Sequence, residues 1–372
     1  MDYINGRIAF LLKTYLDGNN FKIIYSKIVM PEVQKQTPFG LNNENIESFR
    51  WHIKECVSLG GNKNALIELL LYPHEMDREL FTCEELEIIY GLQEYEYISI
   101  GDKTVINTKI QLIMYEDEYI IIDARLGFKS EKNSDTYIGV DTFYMLQHIK
   151  QCKLDAMSNV LDLCTGTGIA AIYASRAKVN AEAIDIDVDA IKLAIFNRNL
   201  NKRNVIIEQK DLREKLKESK KYDLVISNPP FVPVIDGCVL PIYAQGCESD
   251  GLGYYRVIIE HIKPILTHTG KCILVGDFAG NDEYPFFYEE LKKYSDEFKL
   301  DIYFYTKAIN DGMRYIKGYP KIIQKFNKEI SMELLEEKTY EHFVDKLNMK
   351  KMYLGIIEIT HASSVGTCIY AD

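Results

Sequence analysis

Apolar runs and helical patterns alternate along the chain from residue 136 to about residue 280. The apolar runs have the length of strands and lie at 159–163, 181–186, 204–208, 222–227 and 271–276. Apolar residues in the stretches between them recur at the spacing of helices. Strands that alternate with helices predict an α/β fold with a doubly wound, mainly parallel sheet. Two further apolar runs, at 299–306 and 352–360, are predicted to close this sheet, with a helical insertion near residues 310–350.

The first hundred residues have a different pattern. Apolar residues at helical spacing in 42–56 and 63–71 predict two helices, and the stretch after Pro73 predicts another helix through Leu86. We therefore expect a mainly helical N-terminal domain over residues 1–100. A winged-helix-like module is one interpretation of this domain.

Two short stretches that follow, at 108–114 and 119–124, are interpreted as strands in which apolar and polar residues alternate. Such alternation on either side of a polar turn predicts a β-hairpin. The hairpin is expected to lie in a linker over residues 101–135, between the N-terminal domain and a third region over residues 136–372 that holds the sheet.

The first strand of the sheet region leads into a glycine turn and then a helix. Gly166 and Gly168 permit a tight turn and a close approach of the backbone to a ligand. The next strand ends in Asp185, about 20 residues beyond the turn, where βαβ nucleotide sites hold a ribose hydroxyl. The strand after that leads into Asp211, whose carboxylate could reach an adenine amino group.

The fourth strand, 222–227, ends at the tetrapeptide Asn228-Pro229-Pro230-Phe231. The two prolines fix a stiff, extended turn. The Asn228 side chain and a proline carbonyl offer two acceptors for an incoming NH2 group. Phe231 could stack on the plane that carries the nitrogen, which would be catalysis by orientation.

In this order and spacing, the glycine turn, the two acids and the tetrapeptide resemble class I S-adenosylmethionine-dependent methyltransferases of the NPP[FY] small-domain group. The resemblance implies a seven-stranded Rossmann-like core, S-adenosyl-L-methionine as the donor, S-adenosyl-L-homocysteine as the product, and no metal. It implies a donor site made of Tyr137, Thr142, Asp162, Thr165, Gly166, Gly168, Asp185, Ile186, Asp211, Leu212 and Asn228. One departure from the family pattern is Cys164, where the family commonly has glycine.

The resemblance also implies that the methyl acceptor is a nitrogen and that Asn228, Pro229, Pro230 and Phe231 are catalytic. The segment Asp250-Gly251-Leu252, followed by Tyr255-Arg256, resembles the protein-glutamine N5-methyltransferases that modify release factors. Phenylalanine at the last NPP position also occurs in guanine-N2 methyltransferases of ribosomal RNA. The tetrapeptide therefore leaves the substrate open.

A dinucleotide dehydrogenase is the main rival for any glycine turn that is followed by an acidic strand end. The turn here differs from G-x-G-x-x-G, and the carboxylate of Asp162 before it would repel a pyrophosphate. The same carboxylate suits the ammonium group of S-adenosylmethionine. The turn therefore favours a methyltransferase.

The composition limits which classes of protein and which kinds of partner are expected. The net charge of −11 makes a nucleic-acid substrate less favoured, because phosphate-rich partners usually meet basic surfaces. Two groups of lysines could form a local basic patch but are interpreted as solvated helix faces: Lys215, Lys217, Lys220 and Lys221, and then Lys317, Lys321 and Lys325. The eight cysteines contain no C-x-x-C pair and are interpreted as reduced core residues. With no long apolar run and no signal peptide, we expect a cytoplasmic enzyme without a membrane partner.

These observations predict an enzyme that transfers a methyl group in line to a planar or amino nitrogen. A small-molecule amine, amidine or guanidine is the favoured substrate, because of the acidic charge. A protein glutamine and a nucleic-acid base, adenine N6 or guanine N2, are the alternatives. His148 and His261 are interpreted as packing or surface residues, so no general base is assigned. The pattern leaves the oligomeric state open.

Overall fold

The computed structural model describes residues 2–29, 57, 64–93, 96–123, 136, 138–242, 244–361 and 367–371. The helix predicted at 42–56 and the predicted donor contact Tyr137 lie outside these residues. No helix in the described part of the chain is long and apolar enough to cross a bilayer.

The α-helices are α1 (Asp2–Gly18), α2 (Phe21–Val29), α3 (Ala65–Leu71), α4 (Cys83–Gln93), α5 (Val140–Lys150), α6 (Ile169–Ala174), α7 (Val188–Leu200), α8 (Leu212–Lys215), α9 (Gly253–His261), α10 (Phe286–Leu291), α11 (Gly312–Ile323) and α12 (Met332–Tyr340). A π-helical turn, Glu341–Lys346, continues α12. The strands are β1 (Glu75–Asp77), β2 (Ile98–Ile100), β3 (Thr104–Asn107), β4 (Ile110–Tyr115), β5 (Glu118–Asp123), β6 (Asn159–Leu163), β7 (Asn180–Asp185), β8 (Val205–Gln209), β9 (Tyr222–Ser227), β10 (Leu266–Gly280), β11 (Lys299–Asp311), β12 (Lys351–Thr360) and β13 (Cys368–Ala371).

The chain forms two compact units. The first comprises Met1–Phe143, Gly166–Arg176 and Val188–Ile207, and the second comprises Tyr144–Thr165, Ala177–Asp187 and Glu208–Asp372. Each unit is described by itself below.

An eight-stranded sheet in the order β13-β11-β12-β10-β9-β6-β7-β8 confirms the predicted fold class. Strands β7, β6, β9 and β10 pair in parallel, and β12 runs antiparallel between β10 and β11. The edge strand β13, parallel to β11, adds an eighth strand to the seven that were expected. The strand order reverses between β6 and β9, and open α/β sheets bind ligands outside the carboxyl ends of strands at such a switch point.

Aromatic side chains pack α9 and α10 of the second unit onto β10. The ring of Tyr255 meets that of Phe278 edge-on with centroids 5.6 Å apart, and Phe278 stacks on Phe287 at 5.8 Å. The Tyr255 hydroxyl donates to the carbonyl oxygen of Val275 at 2.5 Å. A β-carbon at Gly276 would overlap that hydroxyl, so the close approach requires glycine. These contacts fix the start of α9, which directly follows the segment Asp250-Gly251-Leu252.

In the first unit, α1 packs against α7, and β1, β3 and β2 form a small antiparallel sheet. Strands β4 and β5 pair as the predicted hairpin, from Ile110 opposite Asp123 to Tyr115 opposite Glu118. The role of this hairpin as a linker and the winged-helix interpretation stay predictions.

The start predicted for the helix after Pro73 is wrong. Residues Glu75–Asp77 form strand β1, in which Met76 pairs with Val105 of β3. The helix begins only at Cys83, because Thr82 and Glu85 form a reciprocal cap. The Glu85 carboxylate accepts the Thr82 N–H at 2.8 Å, and the Thr82 hydroxyl accepts the Glu85 N–H at 3.2 Å.

Candidate active site

Hydrogen bonds join the strand ends at the switch point in the second unit. The Ser227 hydroxyl, at the end of β9, donates to the carbonyl oxygen of Leu163 at the end of β6, at 2.9 Å. The backbone N–H of Thr165 donates to the carbonyl oxygen of Ile184 in β7, also at 2.9 Å. The fold therefore brings the beginning of the glycine turn, the acid after β7 and the tetrapeptide after β9 to one edge of the sheet.

Asp185 closes β7 in a fixed local turn. Its carboxylate accepts the backbone N–H of Asp187 at 3.0 Å, and its carbonyl accepts the N–H of Lys210 at 2.9 Å. The next side chain, Ile186, is 49% exposed, which is unusual for a large apolar residue. A carboxylate beside an exposed apolar side chain suits a ribose hydroxyl next to a flat base.

Asp211 and Leu212 follow β8 and begin the short helix α8. The Asp211 carboxylate caps this helix by accepting the Arg213 N–H at 2.7 Å. It also lies 3.4 Å from the Arg213 guanidinium. Leu212 is buried in the core of the second unit, so its part in a donor site would fall to its backbone.

Cys164, the departure from the family pattern, has a left-handed backbone with φ of 57°. This conformation explains why glycine is common at the position, because a side chain there costs about 1–2 kcal/mol. Burial raises the pKa of the Cys164 thiol, and the carboxylates of Asp185, Asp162 and Asp211 raise it further. The thiol is therefore protonated at neutral pH.

The same three carboxylates create a negative field around Cys164, which suits a ligand that carries positive charge. The donor carries a sulfonium and an ammonium group, so these residues fit it. The nearby Asp162 is buried and accepts a hydrogen bond from the Thr165 hydroxyl at 2.5 Å. That bond fixes the side chain of Asp162 where the turn begins.

The remaining predicted donor contacts belong to the first unit. Gly166 and Gly168 have φ of 53° and 80°, as the predicted tight turn requires. A β-carbon at Gly168 would lie 3.1 Å from that of Ala194 on α7, so the third residue of the turn also needs to be small. Between them, the Thr167 carbonyl accepts a hydrogen bond from Asn197 at 2.9 Å. Thr142 is buried near the start of α5.

The tetrapeptide after β9 presents a buried Pro229 between half-buried neighbours, Asn228, Pro230 and Phe231. The chain after Phe231 forms a loop whose far end returns to Val232. The Val232 N–H donates to the Ala244 carbonyl at 2.9 Å, and the Val232 carbonyl accepts the Gly246 N–H at 3.0 Å. We call the described residues 232–242 and 244–251 the acceptor loop. Its two ends are thus tied together directly beside Phe231.

Two glycines of the acceptor loop pack against the backbone of Phe231. Gly251 has φ of 81°, and a β-carbon there would overlap the Phe231 carbonyl oxygen and lie 2.9 Å from its carbonyl carbon. A β-carbon at Gly246 would overlap the Gly251 carbonyl oxygen and lie 2.7 Å from the Phe231 carbonyl carbon. The last residue of the tetrapeptide is therefore held by backbone contacts that only glycine permits. The sequence pattern singled out Gly251 but not Gly246.

Asp250 holds this turn through Arg256, a residue whose role the pattern did not reveal. The Arg256 guanidinium contacts both oxygens of Asp250 at 2.6 and 3.0 Å and both oxygens of Glu290 at 2.7 Å, and it also contacts Glu248. Burial alone would raise the pKa of Asp250, but hydrogen bonds from Arg256 and from the Leu252 N–H outweigh it and lower the pKa. Asp250 is therefore a turn residue that positions the loop.

We expect Cys164 to tolerate glycine but not valine. Valine is β-branched and strongly disfavours a positive φ, so the turn must leave its conformation. Cys164→Val should weaken donor binding about tenfold or more in titration calorimetry, whereas Cys164→Gly should keep the affinity within about threefold. Equal affinities for the two variants would show that donor binding does not depend on this turn conformation.

Asp185→Ala should weaken donor binding by about 10- to 100-fold, because a hydrogen bond to a charged group contributes about 1.5–3 kcal/mol. Asp189→Ala is the matched control, since that carboxylate pairs with an exposed lysine, Lys192, at 2.9 Å. Calorimetric titration of both variants with the donor measures the difference. An unchanged affinity in Asp185→Ala would remove the ribose assignment.

Known proteins resemble the chain at the level of sequence. The model of the family described as "Methyltransferase small domain" matches residues 131–236. A release factor glutamine methyltransferase of Clostridium acetobutylicum is 32% identical over 237 residues, which are 58% of this chain and 78% of that protein. A ribosomal protein uL3 glutamine methyltransferase of Francisella tularensis is 28% identical over 39% of this chain and 56% of that protein.

A protein of Rickettsia typhi named bifunctional methyltransferase is 25% identical over 91% of this chain, and the chain spans 64% of its length. The likeness to the Clostridium protein covers most of that relative, and the family model covers both the glycine turn and the tetrapeptide. The chain therefore belongs to the class I S-adenosylmethionine-dependent methyltransferases of the methyltransferase small domain family.

Proposed function

We propose that this chain transfers a methyl group from S-adenosylmethionine to the side-chain amide nitrogen of a glutamine in a protein. The observation that carries the proposal is the contact between Gly251 and Phe231. It joins the segment that resembles protein-glutamine methyltransferases to the tetrapeptide that would bind the acceptor nitrogen. Relatives named for glutamine methylation of a release factor and of a ribosomal protein support the same substrate class.

A small-molecule amine, amidine or guanidine was the favoured expectation from the acidic charge, and nothing in the named relatives supports it. The glutamine alternative is now preferred because two relatives are named for glutamine methylation. A primary amide is flat and carries two N–H groups, which matches two acceptors above a ring better than an alkylamine does, whereas an amidine or a guanidine would share this geometry. A nucleic-acid base would share this chemistry and is an outcome of the test below.

The donor supplies an electrophilic methyl group on a positively charged sulfur. The Asn228 side-chain oxygen and the Pro229 carbonyl would accept the two amide N–H groups of glutamine and fix the nitrogen in line with that methyl group. Phe231 would pack on the amide plane. A bond forms between nitrogen and the methyl carbon as the bond to sulfur breaks, the sulfur becomes a neutral thioether, and one amide proton leaves to solvent.

The three carboxylates near Cys164 would hold the positive donor and lose part of their attraction once the sulfur becomes neutral. This change favours release of the product S-adenosylhomocysteine. The residues of the site would therefore contribute to the reaction by binding the donor and orienting the acceptor nitrogen.

The test is incubation of the protein with methyl-labelled S-adenosylmethionine and a fractionated bacterial lysate. We expect the label in protein, on the nitrogen of a side-chain amide. Acid hydrolysis of this N-methyl amide should release labelled methylamine. Label in RNA, in DNA or in metabolites would overturn the glutamine proposal and identify the class of the substrate.

A further inference from the structure

Helix α11 carries a stripe of positive charge that the reaction does not use. Residues 312–328 contain five basic side chains and no acidic one, although the whole chain has a net charge of −11. We call Arg314, Lys317, Lys321, Lys325 and Lys328 the basic stripe, and all five are exposed. Arg314, Lys317 and Lys321 follow one another at intervals of three or four residues, so they share one side of α11. Lys325 lies in the single 3-10 turn that continues the helix, and Lys328 follows that turn.

Ordinary solvated helices pair opposite charges at this spacing. Residues 312–328 contain no acid, although Asp311 lies three residues before Arg314 and Glu329 lies four residues after Lys325. Asp311 is engaged as the helix cap and accepts the N–H groups of Met313 and Arg314 at 2.8 and 3.3 Å. The segment therefore carries a local excess of positive charge.

The opposite face of α11 is bound to the acceptor loop. Ile316, Tyr319 and Ile323 are buried in a cluster that includes Ile235 and Leu240 of the loop. The Tyr319 hydroxyl donates to the carbonyl oxygen of Pro233, two residues after Phe231, at 2.5 Å. One helix diameter, about 10 Å, thus separates the stripe from the chain that follows the tetrapeptide.

Two further contacts fasten the loop to the same helical region. Asn327 accepts the Val239 N–H at 2.7 Å and donates to the Val239 carbonyl at 2.9 Å. His342 donates to the Ser249 carbonyl at 2.7 Å. A partner held by the stripe would therefore be held in a fixed place relative to the acceptor loop.

Exposed apolar side chains lie on α11 and on the acceptor loop. Val239 is 63% exposed next to the end of the stripe, Ile242 is 53% exposed on the same loop, and Met313 is 43% exposed at the start of α11. Apolar side chains combined with a charged rim are typical of protein interfaces. Phosphate recognition favours arginine, whose guanidinium binds in a bidentate manner, and the stripe has only one arginine.

We infer that the basic stripe docks an acidic surface of the protein substrate and so places its glutamine at Asn228. The inference rests on the proposed glutamine activity for the identity of the partner, and on charge complementarity for the position of the contact. Oppositely charged surfaces raise the rate of association and fix the register of a complex.

The experiment compares two triple variants with the same change in net charge. K317E/K321E/K325E reverses the middle of the stripe, and K103E/K153E/K293E reverses three exposed lysines elsewhere. The probe is a fluorescently labelled bacterial release factor, and binding is measured by anisotropy at several salt concentrations. Circular dichroism during heating verifies that both variants fold.

The stripe variant should bind the factor about tenfold more weakly than the control variant, and its affinity should depend less on salt. Methylation of a short glutamine peptide from the factor should proceed at the same rate in both variants. Equal binding of the factor by both variants, or no binding by the unchanged protein, would overturn the inference. Stripe-dependent binding of a uridine oligonucleotide but not of the factor would overturn it in favour of RNA.

The design separates this inference from the proposed function. If the unchanged protein binds the factor through the stripe but transfers no methyl group to it, the docking surface stands and the glutamine assignment fails. If methylation of the factor proceeds with the same KM in both variants, the glutamine assignment stands and the docking inference fails.

Discussion

Replacing Asn228 by alanine should lower kcat about 10³-fold, while the affinity for S-adenosylmethionine falls by no more than about threefold. The side chain lies directly after β9 at the switch point, beside the tied strand ends. Its loss removes one of the two acceptors that would orient the nitrogen, and misoriented reactants forfeit most of the advantage of proximity. Single-turnover methylation gives the rate, and calorimetry gives the donor affinity.

Asn159→Ala is the matched control for this variant. Asn159 is the first residue of β6 and lies at the amino end of that strand, opposite to the end that leads into the glycine turn. Its side-chain amide donates to the Lys221 carbonyl at 3.2 Å. The control should keep kcat within about threefold, because open α/β sheets bind ligands outside the carboxyl ends of their strands. Full activity in Asn228→Ala would remove the proposed role of the tetrapeptide.

Gly251→Ala should lower kcat about 10²-fold with little change in donor affinity. The added β-carbon would overlap the Phe231 carbonyl oxygen and approach the Pro233 nitrogen to 2.9 Å, so the backbone of the loop must move. A displacement of about 1 Å in a positioned group is enough for such a loss of rate. Steady-state kinetics with the protein substrate gives kcat, and calorimetric titration with S-adenosylmethionine gives the donor affinity.

Gly237→Ala separates this clash from backbone strain. Gly237 has φ of 76°, close to that of Gly251, but the nearest atom to its β-carbon would be the Lys338 ammonium nitrogen at 3.8 Å. Both variants should lose about 1–2 kcal/mol of folding stability from the left-handed conformation. Only Gly251→Ala should lose its rate. Equal rates in the two variants would mean that Gly251 does not position Phe231.

The strands and motifs of the sheet were predictable because each depends on local sequence. A buried parallel strand must be apolar, and a tight turn at its end must contain glycine, so Gly166 and Gly168 stand out without any tertiary information. The acid at Asp185 and the tetrapeptide follow similar strands. Their meeting at one edge is a consequence of the parallel topology.

Features that depend on contacts distant in sequence were not predictable. Arg256 contacts Glu290, which lies 34 residues away, and nothing local distinguishes this pair from surface charges. Gly246 needs to be glycine because the backbones of Gly251 and Phe231 pack onto it. Strand β1 was mistaken for a helix because its pairing with β3 outweighs the local pattern.

The most direct test of the central claim is peptide mapping by tandem mass spectrometry after a bacterial release factor is incubated with the protein and S-adenosylmethionine. The account predicts one added methyl group, located on the side-chain amide nitrogen of a glutamine, and no such group when Asn228→Ala replaces the unchanged protein. A methyl group on any other atom of the factor, or methylation that survives the loss of Asn228, would contradict it.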